Sequence, residues 1–118
     1  MKFLCLGYLD MERFDAAPEA KKSGIMAKCM EQVKEFRAGG TILEEDGLEH
    51  MRDARSIRPK NGVPTVTNGP FVETPAQLGA FFVVEAADID EAVRVASKHP
   101  GAMFGEQYGF GIEVRPIQ

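Results

Sequence analysis

The sequence predicts an α+β fold in which strands and helices follow one another in the order β-α-β-β-α-β, with a β-hairpin inserted before the third strand. Twice along the chain, short apolar runs give way to apolar residues at three- and four-residue spacing, which indicates strands followed by amphipathic helices. Asn61-Gly62 lies between two short extended runs, a pattern typical of a hairpin turn. With 118 residues the chain has the length of one domain, so we expect residues 1–118 to fold as a single unit.

The first strand and the first helix occupy the first third of the chain. Lys2–Leu9 is short and rich in residues that favour strands. Over Pro18–Ala38 the apolar residues recur at helical spacing, and Gly39-Gly40 provides a typical helix end. The stripe expected to face the core consists of Ile25, Met26, Cys29, Met30, Val33 and Phe36.

The second strand and the hairpin follow. Thr41–Leu48 predicts a short strand, and the hairpin strands are predicted over Arg55–Arg58 and Val63–Thr67. Pro59 and Pro64 lack the backbone N–H that an inner strand needs. We therefore expect the hairpin at an edge of the sheet, outside the core.

The last third of the chain repeats the strand–helix–strand order. Gly79–Ala86 is the most apolar run, which predicts the central strand. Asp88 and Glu91 have the spacing of a capping box and begin a helix that is expected to reach Lys98. The alternation over Ile112–Ile117 predicts the last strand.

A ferredoxin-like arrangement, with both helices on one face of a four-stranded antiparallel sheet, is the compact solution for this order. Within the central strand, Phe81–Val84 carries apolar side chains on both faces. The face without helices would then expose apolar surface unless a second copy of the chain covered it. We therefore expect a homodimer with two-fold symmetry.

Composition excludes several classes of protein. With 14 basic and 18 acidic residues the net charge is −4, which disfavours nucleic acid as a partner. The apolar start of the chain, Met1–Leu9, is too short for a secretory signal or a membrane span, so we expect a cytoplasmic protein without a membrane partner. Cys5 and Cys29 lack the spacing of a metal site and are interpreted as reduced, buried thiols. We expect neither a metal nor a cofactor.

The segment Asn68-Gly69-Pro70-Phe71 allows two interpretations. As structure, it forms a tight turn in which the Asn68 side chain holds nearby backbone and Phe71 is a buried anchor. As function, Asn68 and Glu73 are polar groups at the mouth of a pocket. An amide cannot titrate, so Asn68 is a candidate for binding and not for acid–base catalysis.

Three further side chains and one connection are candidates. His50 is either a solvated loop residue or a ligand-binding group, and His99 is expected to stabilise the end of the second helix as a partly protonated imidazole. Arg115 shares a strand face with Glu113, so it forms an ion pair or anchors a carboxylate ligand. The glycine-rich connection that carries Phe104, Tyr108 and Phe110 is a plain loop or a lid over a pocket.

Four ordered segments give the chain a family resemblance. Asn68–Thr74, Gln77–Phe82, Asp88–Ala92 and Ile112–Ile117 resemble the DGPF branch of the YCII-related family. This resemblance implies a dimeric α+β barrel built from ferredoxin-like protomers.

The chain departs from the family pattern at the residues that would carry chemistry. Asn68 replaces the first aspartate of the signature, and Pro75-Ala76 replaces a basic and acidic pair. Some YCII relatives use a His and Asp pair with the histidine on the first helix, which has no histidine here. We therefore carry no catalytic pair over to this chain.

Three functional hypotheses follow. The first is a homodimeric domain that binds a small organic molecule, for which an acid is one option. The second is a lyase- or isomerase-like enzyme acting on a small cyclic acid. The third is an accessory protein with a regulatory protein partner in transcription initiation. Arg115, His50, Asn68 and Glu73 are the candidate ligand-binding residues, and no catalytic residue is assigned.

Overall fold

The computed structural model describes residues 1–118 and contains six β-strands and four α-helices. The strands are β1 (Lys2–Asp10), β2 (Thr41–Gly47), β3 (Arg55–Lys60), β4 (Val63–Asn68), β5 (Ala76–Glu85) and β6 (Gly111–Pro116). The helices are α1 (Met11–Asp15), α2 (Glu19–Ala38), α3 (Ile89–Ala96) and α4 (Pro100–Met103).

Four of the strands form one antiparallel sheet in the order β2-β5-β1-β6. The inner strands β1 and β5 pair along their whole length, with Cys5 opposite Phe82 and one irregularity between Gly7 and Tyr8. The predicted α+β ferredoxin-like fold and the central position of the apolar Phe81–Val84 run are therefore confirmed.

The core lies between this sheet and the helices on one of its faces. Phe36 of α2 meets Phe82 of β5 edge to face, with ring centroids 4.8 Å apart. Burying such a ring stabilises the fold by about 1.5–3 kcal/mol. The buried cluster consists of Phe3, Cys5, Phe36, Phe82, Val84, Ala86, Ala92, Val95 and Ala96.

The other face of the sheet carries apolar side chains without a helix over them. Leu4 lies opposite Val83 and Leu6 opposite Phe81, and directly paired residues point to the same face. These four side chains, which we call the open-face patch, alternate with the buried core residues and are partly exposed. The sequence-based expectation that one face would lack helices is met.

The hairpin differs from its predicted place. β3 and β4 pair only with each other and form a separate two-stranded sheet, so the prediction of a hairpin at the edge of the main sheet was wrong. Pro59 lies opposite Pro64, so neither residue of this pair has a backbone N–H to donate to a neighbouring strand. The turn itself is confirmed, since Asn61 and Gly62 both have positive φ, 51° and 79°.

The helix predicted over Pro18–Ala38 is confirmed as α2, but its apolar stripe is only partly buried. Ile25 and Phe36 are buried, whereas Met26 is 47% and Met30 71% exposed. Met26 and Cys29 border a cavity between the helix and the sheet, so this half of α2 lacks a packed core beneath it.

Two short helices escaped sequence-based prediction because each is only about one turn long. Asp10 caps α1 by accepting from the Arg13 N–H, and His99 caps α4 by accepting from the Gly101 N–H. The cap of α3 was predicted, and Asp88 accepts from the Glu91 N–H at 2.8 Å. None of the helices is both long and apolar enough to span a membrane.

Candidate functional site

A cavity of about 420 Å³ opens between α2 and the end of the sheet where β1 finishes. We call it the helix-side cavity. Its walls are mostly apolar, and no arginine or lysine contributes to them. The lining residues are Gly7, Tyr8, Leu9, Met11, Phe14, Asp15, Met26, Cys29, Leu48, His50, Gly79, Ala80, His99, Pro100, Gly101, Phe110, Gly111 and Ile112.

Small residues in the strands leave this space open. Gly7 and Ala80 are paired on the sheet face that carries the core residues, so side chains that would fill the space are missing there. At Gly101 a Cβ would lie 3.2 Å from both His99 Nδ1 and Ile112 Cδ1. A larger residue at Gly101 would therefore push the His99 ring or the Ile112 side chain away from its place.

His99 is held rigidly at the cavity wall. Its ring stacks on Phe82 with centroids 4.8 Å apart, and Phe36 meets it edge on at 4.9 Å. Nδ1 accepts the Gly101 N–H at 3.0 Å, so in the neutral ring the proton is on Nε2. Burial lowers the pKa of His99, and the Glu45 carboxylate opposes this only in part.

The sequence-based interpretation of His99 was therefore wrong. A partly protonated imidazole was expected at the end of the second helix, but the ring is half-buried, contacts two phenylalanines and caps the start of α4. A protonated Nδ1 could no longer accept the Gly101 N–H, so the neutral form fits this position.

His50 forms a contact that sequence analysis missed. Its Nε2 lies 2.8 Å from Asp15 Oδ2, and its Nδ1 accepts the Arg52 N–H at 3.1 Å. A His and Asp pair thus exists, although the histidine comes from the loop after β2 and not from the first helix. The two residues are 35 positions apart, so only the tertiary structure brings them together.

Both nitrogens of His50 are occupied in this arrangement. The neutral ring donates through Nε2 to Asp15 and accepts through Nδ1, which leaves no lone pair to take a proton from a substrate. The contact ties the end of α1 to the loop after β2 at the border of the cavity. In this geometry His50 is a positioning residue.

The thiols are poor nucleophiles. Burial raises the pKa of Cys5 to about 11, and it also raises the pKa of Cys29, which is half-buried at the cavity wall. Both are free cysteines, and a protonated thiol reacts slowly. No group of three or more His, Cys, Asp or Glu side chains is arranged to hold a metal ion.

Arg115 lies away from the cavity. It is paired with Leu4 across β1 and β6, which places its side chain on the open face of the sheet. There it forms the ion pair with Glu113 that the sequence suggested. The structure therefore does not bring Arg115 and His50 together.

Asn68 and Glu73 are also separated from the helix-side cavity. Asn68 ends β4 and its side chain makes no hydrogen bond, so the predicted Asx turn is absent. Glu73 borders a different, mostly polar cleft together with Asp10 and Glu12.

The loop between β4 and β5 is held by residues that sequence analysis did not select. The Gln77 amide donates to the carbonyl oxygens of Val72 and Thr74, at 2.8 and 2.9 Å. Phe71 is 59% exposed, with the Arg58 guanidinium 3.9 Å from its ring centre, so the prediction of a buried anchor was wrong. Sequence analysis missed Gln77 because no local pattern distinguishes a buried glutamine from an exposed one.

The glycine-rich connection forms one wall of the cavity through Phe110. Tyr108 is buried and meets Phe14 edge on at 5.3 Å, and Gly105 and Gly109 have positive φ on either side of its turn. Phe104 and Tyr108 do not line the cavity, so Phe110 is the one aromatic side chain of the connection that borders it.

The family model that describes a YCII-related domain matches residues 1–116 of the chain. No curated protein matches it.

Proposed function

The chain belongs to the YCII-related family, and on that premise we propose that it is a homodimeric domain that binds a small organic molecule in the helix-side cavity. Within the family we assign it to the DGPF branch, on the Asn68–Thr74 segment and the three segments that follow it. The domain spans residues 1–118 in this proposal.

The observation that carries the proposal is the cavity itself. At about 420 Å³ it falls within the range of about 300–1,000 Å³ that is usual for small-molecule sites. Its walls combine an apolar and aromatic lining with a few polar groups, which is the composition of such sites. His99, His50 and Asp15 are polar residues from separate parts of the chain that line it.

The homodimer is supported by the open-face patch. Leu4, Leu6, Phe81 and Val83 form contiguous apolar surface in the middle of the sheet, and both strands that flank it carry charged residues. A second copy of the sheet offers a matching apolar surface with a charged rim. We propose that two protomers pack through these faces.

An enzyme is the second candidate, favoured by the contact between His50 and Asp15. It ranks lower because both His50 nitrogens are occupied and the Cys29 thiol is protonated. A cyclic acid as substrate would also lack a cation in the cavity to hold its carboxylate.

A cavity-filling variant tests the proposed function. Cys29→Phe places a ring into the cavity from α2, whereas Met30→Phe adds the same ring to the neighbouring residue, which is 71% exposed. The probes are acetophenone, α-methylstyrene and benzoate, titrated separately while backbone amide shifts are followed by NMR. We expect at least one probe to shift the Gly101 and Ile112 amides of the wild type and of Met30→Phe, with at least tenfold weaker binding to Cys29→Phe. The proposal is overturned if no probe binds the wild type at millimolar concentration, or if Cys29→Phe binds as well as Met30→Phe.

A further inference from the structure

One hydrogen-bond donor of His99, a residue that lines the helix-side cavity, has no partner within the protein. His99 Nδ1 accepts the Gly101 N–H, which fixes the tautomer with the proton on Nε2. Nε2 itself bonds to no protein atom, yet no buried side-chain nitrogen or oxygen in the structure lacks a partner. Nε2 is therefore accessible to solvent, and His99 is one of the residues that line the helix-side cavity.

This donor is unusually well positioned. Phe82 covers one face of the ring and Phe36 meets it edge on, so the ring cannot turn away without losing both contacts. A half-turn flip of the ring would place Cδ2 where Nδ1 is and Cε1 where Nε2 is, so it would lose the bond from Gly101. A donor that is fixed before the ligand arrives costs little conformational entropy on binding.

The other walls of the cavity restrict what can lie against this donor. Phe14 and Phe110 offer aromatic surface, and no arginine or lysine is present to balance an anion. The Asp15 carboxylate at the border disfavours a second negative charge. An anion would lose its hydration in the cavity without gaining a cation in return, which is costly.

Resting on the function proposed above, we propose that the helix-side cavity selects an uncharged ring compound bearing a carbonyl group, whose oxygen accepts the hydrogen bond from His99 Nε2–H. His99 is then the binding residue that determines specificity. Ring surface packs against Phe14 and Phe110, and carboxylates are rejected.

Three probes of nearly equal shape test this selection. Acetophenone has a carbonyl oxygen, α-methylstyrene replaces that oxygen by a methylene group, and benzoate replaces the methyl ketone by a carboxylate. At pH 7.5 we expect acetophenone to bind the wild type at least about fivefold more tightly than α-methylstyrene, because only the ketone satisfies Nε2–H. We expect benzoate to bind most weakly.

Two variants of His99 separate its two hydrogen bonds. In His99→Asn the amide oxygen can still accept the Gly101 N–H, but nothing reaches the position of Nε2. In His99→Gln the longer amide reaches that position as a donor and gives up the cap. The preference for acetophenone over α-methylstyrene should disappear in His99→Asn and return in part in His99→Gln.

The wild type alone provides a test that does not depend on the folding of a variant. The ¹H and ¹⁵N signals of His99 Nε2–H should shift on addition of acetophenone and stay in place with α-methylstyrene. The inference is overturned if the ketone and the hydrocarbon bind the wild type equally, if benzoate binds most tightly, or if a folded His99→Asn keeps the preference. Failure of every probe to bind the wild type would instead contradict the cavity as a binding site.

Discussion

At the scale of single residues, His99 shows how burial changes the chemistry of a side chain. An exposed imidazole has a pKa of about 6.5, and the pKa of His99 is lowered by burial among Phe36, Phe82 and the cavity wall. The Glu45 carboxylate, which accepts from Arg37, is the charged group that opposes this shift. The ring therefore acts as a neutral donor and acceptor at neutral pH.

The lowered pKa predicts a specific loss of stability in mild acid. Below about pH 6.5 the unfolded chain takes up a proton at this histidine while the folded chain stays neutral, so the free energy of unfolding falls until the pH reaches the folded-state pKa. His99→Asn keeps a capping oxygen and removes this titration. In denaturant titrations at one fixed protein concentration, the stability of the wild type relative to His99→Asn should decrease from pH 7.5 to pH 5. Parallel pH profiles for the two proteins would contradict a neutral, half-buried imidazole with a lowered pKa.

The types of the residues allowed some residues of the site to be selected from the sequence, but not their partners or surroundings. His50 was a candidate from the sequence, and the structure places it at the cavity, but its partner Asp15 lies 35 positions away and could not be found by spacing. His99 was interpreted from its place at a helix end, whereas its surroundings come from β5 and α2. Arg115 was selected for its guanidinium, and only the register of β6 against β1 reveals which face it occupies.

At the scale of elements, caps were predictable when a longer helix followed them. Asp88 was recognised because Glu91 and the apolar repeat of α3 come after it. Asp10 and His99 cap helices of five and four residues, which are too short to show a period. The hairpin turn at Asn61-Gly62 was equally clear, but the independence of β3 and β4 from the main sheet depends on contacts that no local pattern records.

The α3 cap makes a measurable contribution to stability. Asp88→Ala removes the acceptor of the Glu91 N–H and is expected to lower the free energy of unfolding by about 1 kcal/mol. Asp88→Ser keeps a capping oxygen and should stay within about 0.5 kcal/mol of the wild type. Equal losses in the two variants, measured by urea unfolding, would show that the charge at this position matters and the cap does not.

At the scale of the whole molecule, the folded chain is flat. Its principal extents are 47 × 41 × 18 Å, since helices cover only one face of the sheet. The order of strands and helices was sufficient to predict this one-sided arrangement, because ferredoxin-like packing places both helices on one face of the sheet. Sequence could not predict the cavity, which arises where glycine and alanine in β1 and β5 fail to fill the space under α2.

The proposed dimer predicts that charge on the open-face patch separates the protomers. Phe81→Glu buries a carboxylate in the proposed interface and should shift the mass measured by light scattering from dimer to monomer at micromolar concentration. Val93→Glu adds the same charge to an exposed position of α3, on the helix side, and should leave the mass unchanged. A wild type that is monomeric under these conditions would contradict the homodimer.

The position of β1 inside the sheet also determines when this strand can find its partners during synthesis. Its two neighbours are residues 76–85 and 111–116, so a nascent chain that has emerged as far as the hairpin still holds β1 without any strand to pair with. Contacts between segments so distant in sequence form slowly compared with helices and hairpins. During synthesis, the apolar Phe3–Leu9 stretch therefore has neither of its strand partners until β5 has emerged, and both of its edges can be paired only after β6.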